Sequence, residues 1–301
     1  MIFIKVQGGL GNQISQYACS RLMKHMYPTQ EIRLDLSWFD MVNIQKGFEL
    51  DKVFNKNTLK FQVAKDSEIL KLKKQIAIHK VKAPFIVKAV NYALRKCLKR
   101  KSVKVQTIES GYPVDKWFDK LDTTKSYYLD GFWHNCDYSD IMETLRRELE
   151  YVVVNQELNK ALLKKVSNTN SVSVHIRKGD YKALGADIVT TSFYKAAIEL
   201  INDKVENTEF FAFSDDLEDT KQIFKDVGVN NYTLVDANRG ESSYMDMYLM
   251  QHCKHNIIAN STFSYWAAQL NDNPDKIVIR PKMQTAERKT WEVFGWKILE
   301  N

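Results

Sequence analysis

From Ser171 onward, apolar β-branched runs alternate with amphipathic stretches, and this rhythm limits the fold more than any single residue does. Strands are read at 171–176, Glu209–Phe213, Tyr232–Val235, Asn256–Ala259 and Lys276–Ile279, with helices near 192–206, at 217–227, at 243–252 and from Thr262. Strands separated by helices do not pair as hairpins, so the pattern predicts a parallel α/β sheet. In such a sheet, ligands sit beyond the carboxyl ends of the strands.

Three of those strand ends are polar. Val172, Val174 and Ile176 alternate with Ser173, His175 and Arg177, so a strand puts the imidazole and the guanidinium on one face. Gly179 then lets the backbone turn, and Asp180 falls where it would hold Arg177. The second end is Ser214-Asp215-Asp216 and the third is Asn260-Ser261-Thr262-Phe263-Ser264. Each also has a plain structural reading: a half-buried strand ending in a salt-bridged turn, an aspartate capping the helix from Leu217, and a hydroxyl N-cap. On one rim they converge on one crevice. There Arg177 offers forked donors to phosphate oxygens, and Ser261, Thr262 and Ser264 add hydroxyls beside free helix N–H groups. Asp215 or Asp216 accepts from a guanine edge or from ribose hydroxyls.

The N-terminal half opens with a strand, Met1–Val6, a glycine loop, Gln7–Gln13, and a helix carrying Ile14, Tyr17, Ala18, Leu22 and Met26 up to Pro28. Such a loop suits an anion, and it fits a ligand-free tight turn equally well. Ile14 stands where a dinucleotide fingerprint needs its third glycine, which weakens a dehydrogenase reading. Glu31–Leu36 is read as the second strand, 48–104 as mostly helical, and Ser126–Trp133 as an aromatic-rich strand followed by an Asp140 cap and a helix over Ile141–Tyr151. The small polar run Ser167–Asn170 breaks the chain, giving two domains, 1–165 and 166–301.

No apolar run approaches a membrane span of roughly 18 to 20 residues, and the start lacks the charged leader of a signal peptide, so a cytoplasmic chain is expected. Cys19, Cys97, Cys136 and Cys253 stand singly, which suggests neither a disulfide framework nor structural zinc. The net charge of +7 is local: Lys71–Lys104 holds twelve Lys or Arg and no acid, leaving about −5 elsewhere. This argues against whole-surface nucleic-acid binding. Apolar residues interleave the run, so 71–104 is read as an amphipathic helical segment, either a solvated face or a peripheral contact with anionic membrane. The chain has no Asp-x-Asp pair to clamp a metal on a diphosphate, no Walker loop and no Gly-x-Ser-x-Gly elbow. Protein cations must then neutralise a leaving phosphate.

In order along the chain stand Gly8-Gly9-Leu10-Gly11-Asn12-Gln13, Gly131-Phe132-Trp133, His175 to Tyr181, Phe213 to Asp216 and Asn260 to Trp266. On these motifs the chain resembles the bacterial alpha-1,2-fucosyltransferases of glycosyltransferase family 11. It departs from their pattern at Lys178 (for arginine), His134 (for glutamine) and Tyr265 (for tryptophan). The resemblance implies a GT-B fold, with two facing Rossmann-like domains and a donor site in the interdomain cleft. It also implies inverting transfer of fucose from GDP-fucose to the 2-hydroxyl of a galactose-containing oligosaccharide or lipid-linked glycan, with no cofactor and no required metal. By that similarity Arg177 grips the β-phosphate, His175 lies near the nucleotide, Asp180 orients Arg177, and Asn12 and Gln13 approach the diphosphate with Gly9 and Gly11. The general base stays open among His175, Asp180, Asp35 and Asp130. Rival readings are a fucosyltransferase of other linkage and a non-catalytic glycan- or membrane-surface-binding module.

Overall fold

A computed structural model describes residues 1–42, 46–80, 105–109, 118–134, 136–152, 157–177, 189–282 and 295–301. Asp180, with Lys178, Gly179 and Tyr181, lies outside the described residues, and so does the basic segment beyond Lys80 with its expected membrane contact. Along the chain run β1 (Ile2–Lys5), α1 (Leu10–Met26), β2 (Ile32–Asp35), α2 (Trp38–Met41), α3 (Leu50–Val53), α4 (Asp66–Lys80), β3 (Val105–Glu109), β4 (Ser126–Asp130), α5 (Met142–Glu148) and α6 (Glu157–Asn168). There follow β5 (Asn170–Ile176), α7 (Thr191–Asn202), β6 (Thr208–Ser214), α8 (Leu217–Val227), β7 (Tyr232–Val235), α9 (Tyr244–His252), β8 (His255–Ile257), α10 (Thr262–Leu270), β9 (Val278–Pro281) and β10 (Lys297–Leu299).

These elements form two units: Met1–Gly9, Ser15–Phe48 and Lys60–Ile141 in the first, and Leu10–Ile14, Glu49–Leu59 and Met142–Asn301 in the second. The first unit holds an all-parallel sheet in the order β2-β1-β4-β3. Phe3 and Tyr128 are buried on one face with Ala64 and with Ile69 and Leu72 of α4.

The second unit holds six parallel strands in the order β10-β9-β8-β5-β6-β7. Val172, Val174 and Ile176 of the central β5 pack with Phe193, Ala197, Ile198 and Ile201 of α7 and with Ile223 and Phe224 of α8. The alternate residues Ser171, Ser173 and His175 are buried too, so β5 is not the half-buried strand its alternation suggests. Parallel sheets are covered on both faces, and buried polar side chains there need partners. Asn256 Nδ2 donates to Ser173 Oγ at 2.8 Å, and the Lys254 amide donates to Ser171 Oγ at 3.0 Å. The strand read at Lys276–Ile279 begins later, at Val278, where the Ile277 amide just ahead of it donates to His255 Nδ1 at 3.0 Å and not to a backbone carbonyl.

In both sheets the strand order reverses beside the first strand laid down. The reversal falls between β1 and β4 in the first unit, and between β5 and β8 in the second. Crevices outside the carboxyl ends at such points are where open α/β sheets bind ligands. Among the described residues no helix is long and apolar enough to cross a membrane.

Candidate functional site

At the switch point of the second unit, β5 ends in Arg177 and the turn after β8 leads into α10. Arg177 Nη1 stands 3.2 Å from Asp215 Oδ2, just beyond the neighbouring strand β6, with both side chains about a quarter to a third exposed. Asp215, read from sequence as a nucleoside contact, therefore pairs with Arg177, while Asp180, to which the resemblance gives the orienting role, lies outside the described residues. Ser214 and Asp216 fold onto each other: Ser214 Oγ accepts from the Asp216 amide at 3.0 Å, and the Asp216 carboxylate caps α8 by accepting from the Asp219 amide at 3.1 Å. With Glu218 and Asp219 also in its first turn, the positive end of α8 is already matched by carboxylates.

The amino end of α10 differs. Ser261 caps it, its side chain accepting from the Phe263 amide at 3.3 Å, and neither α10 nor α1 has an acid in its first turn. These two helix starts touch within the second unit. Thr262 Oγ1 donates to Asn12 Oδ1 at 3.0 Å, and a Cβ on Gly11 would stand 2.6 Å from the Thr262 carbonyl carbon. Gly11 is thus needed for the close approach of a neighbouring backbone. Gln13 is fully buried, and its Oε1 accepts from the Glu49 amide at 2.8 Å at the start of α3. Gly9 is the extended N-cap of α1, and Asn260 is buried just ahead of Ser261.

Ser264, one turn into α10, brings its Oγ to 2.8 Å from His175 Nδ1, and the Tyr194 hydroxyl donates to the His175 carbonyl at 3.0 Å. Burial, reinforced by the nearby Arg177 and only partly offset by Asp215, pushes the His175 pKa down to about 3. The imidazole is therefore neutral across the physiological range. The unfolded chain takes up a proton near the ordinary value of 6.5 while the folded one refuses it, so stability falls as pH drops from 6.5 towards 3. In urea melts, wild type is expected to lose about 2 kcal/mol more than His175→Gln between pH 7 and pH 5, at 1.36 kcal/mol per unit. Equal losses would show that His175 is not held neutral. No sequence signal marked Tyr194, since an aromatic on an amphipathic helix reads as core.

The switch point of the first unit carries a second constellation. Lys5 Nζ lies 3.0 and 3.2 Å from the two oxygens of Asp130, joining the ends of β1 and β4. Gln16 Nε2 donates to the Gly131 carbonyl at 3.1 Å, and Trp133 turns the chain with φ of 58°, a conformation rare outside glycine. Trp133 is fully buried, and the Tyr138 hydroxyl donates to its carbonyl at 2.6 Å. The half-buried rings of Phe132 and His134 lie parallel to within 7° with centroids 5.6 Å apart, and His134 Nδ1 sits 2.7 Å from Ser15 Oγ. Asp35 is buried and accepts from the Tyr128 hydroxyl at 2.8 Å and the Ser37 amide at 2.9 Å. Among the described residues no three His, Cys, Asp or Glu side chains gather as metal ligands.

Comparison with known proteins adds the family. The model of glycosyl transferase family 11 matches residues 1–297. An alpha-1,2-colitosyltransferase of Escherichia coli is 30% identical over 289 residues, covering 93% of this chain and 91% of the relative. The O-antigen biosynthesis glycosyltransferase WbnK of Escherichia coli is 30% identical over 299 residues, covering 92% of each. Among solved structures, the fucosyltransferase NodZ from Bradyrhizobium aligns with a TM-score of 0.49 at 14% identity, covering 91% of this chain and 96% of that one. A family match running almost from end to end, over two parallel α/β units with polar switch points, makes this chain a glycosyltransferase of family 11.

Proposed function

We propose that the enzyme transfers L-fucose from GDP-fucose to the 2-hydroxyl of a terminal β-galactoside in an O-antigen or related surface glycan, with inversion and without a metal. The observation that carries this reading is Arg177, ion-paired with Asp215 at the switch point of the second unit, where the neighbouring strand β8 leads into a helix start that has no acid in its first turn. Such a rim suits a nucleoside diphosphate: cation and helix dipole for the phosphates, carboxylates beyond β6 for the donors of guanine or ribose. The acceptor oxygen attacks the anomeric carbon in line as GDP departs, and charge grows on the leaving phosphate. Arg177 therefore binds the transition state more tightly than the ground state. Burial and the Ser264 contact suit His175 to a neutral positioning part beneath Arg177 rather than to proton abstraction. Of the first unit's two candidate carboxylates, Asp35 is buried and bonded to Tyr128 and Ser37, and Asp130 is partly exposed and paired with Lys5. The names of the Escherichia coli relatives support the alpha-1,2 linkage and the O-antigen setting, and they make colitose the alternative donor sugar. A lipid-linked acceptor suits the basic run Lys71–Lys104.

Thermal shift tests the donor class. GDP at about 100 times its dissociation constant should add about 2.7 kcal/mol to stability, with chelator present and with UDP giving no such gain. Equal stabilisation by UDP, or none by GDP, would overturn it.

A further inference from the structure

We propose that Arg146, Lys276, Asn256 and Asn271 are positioning residues of the donor site, which fix how far α10 stands advanced along β5 and so where its amino end lies relative to Arg177. The proposal rests on the donor reading above and adds to it how the site is held.

The carboxyl end of α10 is bonded from two other elements. A helix leaves its last carbonyls without partners inside the helix. Arg146, on α5, donates through Nε to the Leu270 carbonyl at 3.2 Å, and through Nη2 to those of Gln269 at 3.4 Å and Asn271 at 3.1 Å. Lys276, ahead of β9, donates to the carbonyls of Ala268 at 2.8 Å and Asn271 at 2.5 Å. Two cations thus meet the negative end of the helix dipole whose positive end lies at the rim. Burial and the neighbouring Arg146 lower the Lys276 pKa to about 8, so the ammonium is still charged at pH 7.

Side-chain amides then tie that end to β5. Asn271 Nδ2 donates to the Cys253 carbonyl and to Asn256 Oδ1, each at 2.8 Å. Asn256 Nδ2 donates in turn to the Met250 carbonyl and to Ser173 Oγ on β5, each at 2.8 Å. Both asparagines are buried, and each bonds both of its amide hydrogens. A satisfied buried network of this kind specifies one arrangement of the elements it joins. The other tie is the His175–Ser264 contact, one turn into α10. The strand that ends in Arg177 and the helix that follows its neighbour β8 are therefore fixed to each other at two levels.

Calorimetric titration of GDP into the full chain at pH 7, with a melting temperature for each variant, reads the effect. Lys276→Met and Arg146→Met are each expected to weaken GDP binding about tenfold and to raise the donor KM alike, with the acceptor KM unchanged. Lys276→Arg keeps the cation and is expected to stay within about twofold of wild type. Asn256→Ala acts in the same direction as the methionine variants, and those two decide the matter if it fails to fold. Ile198→Val, in the buried cluster where α7 meets β5, is the control for lost stability and should leave GDP affinity as in wild type. GDP affinity within about twofold of wild type in both methionine variants, or equal weakening in Ile198→Val, would overturn the proposal. A wild type that does not bind GDP would overturn the donor reading itself, and this proposal with it.

Discussion

Arg177→Ala is expected to lower turnover about 10²- to 10³-fold, the usual cost of losing one preorganised donor to a developing anion, while the melting temperature stays near that of wild type. The side chain lies at a partly exposed strand end, outside the buried cluster that holds β5 against α7 and α8, so its removal opens no cavity there. Arg177→Lys should recover little, since an ammonium keeps the charge and loses the planar fork. Asp215→Asn should cost less than Arg177→Ala, because the guanidinium remains and only its clamp is weakened. Single-turnover rates with saturating donor check all three. Near-normal turnover of Arg177→Ala would remove the site from the second unit's rim.

Gly11→Ala is the stability counterpart, and its sign is the test. By helix propensity alone the change stabilises by up to about 1 kcal/mol. The Cβ it adds would meet the carbonyl carbon, Oγ1 and carbonyl oxygen of Thr262 at 2.6–2.7 Å, and two of these are backbone atoms that no side-chain rotation moves away. The helix starts must separate, so a net loss of about 1–3 kcal/mol is expected, together with the Asn12–Thr262 hydrogen bond. Denaturant melts give the sign, and stabilisation would show that the contact yields easily.

Much of the second unit was legible because its pattern is both local and redundant. The spans 217–227 and 232–235 coincide with α8 and β7, and the helix start at Thr262 is that of α10. The alternation of strand and helix alone implies the parallel sheet, and with it a polar rim. Partnership was not legible. Asp215 reads as a nucleoside contact, and its pairing with Arg177 follows only from the register of β5 on β6, which sets Ile176 beside Ser214. Gly11 looks like part of an anion loop because a glycine that makes room for a neighbour is the same residue as one that lines a ligand. Polar residues on β5 suggested a solvent face. Their burial depends on partners such as Asn256 and Ser264, more than eighty residues away in the chain. The rings of Phe132 and His134 carry no period or spacing that foretells their parallel arrangement.

The most direct test of transfer from GDP-fucose is to incubate the enzyme with it and a panel of β-galactosides, then determine product mass and linkage. The expected result is one added deoxyhexose, alpha-linked to the 2-hydroxyl of the terminal galactose, formed with chelator present and lost in Arg177→Ala. Transfer to another hydroxyl, or transfer from a GDP-sugar other than GDP-fucose alone, would contradict it.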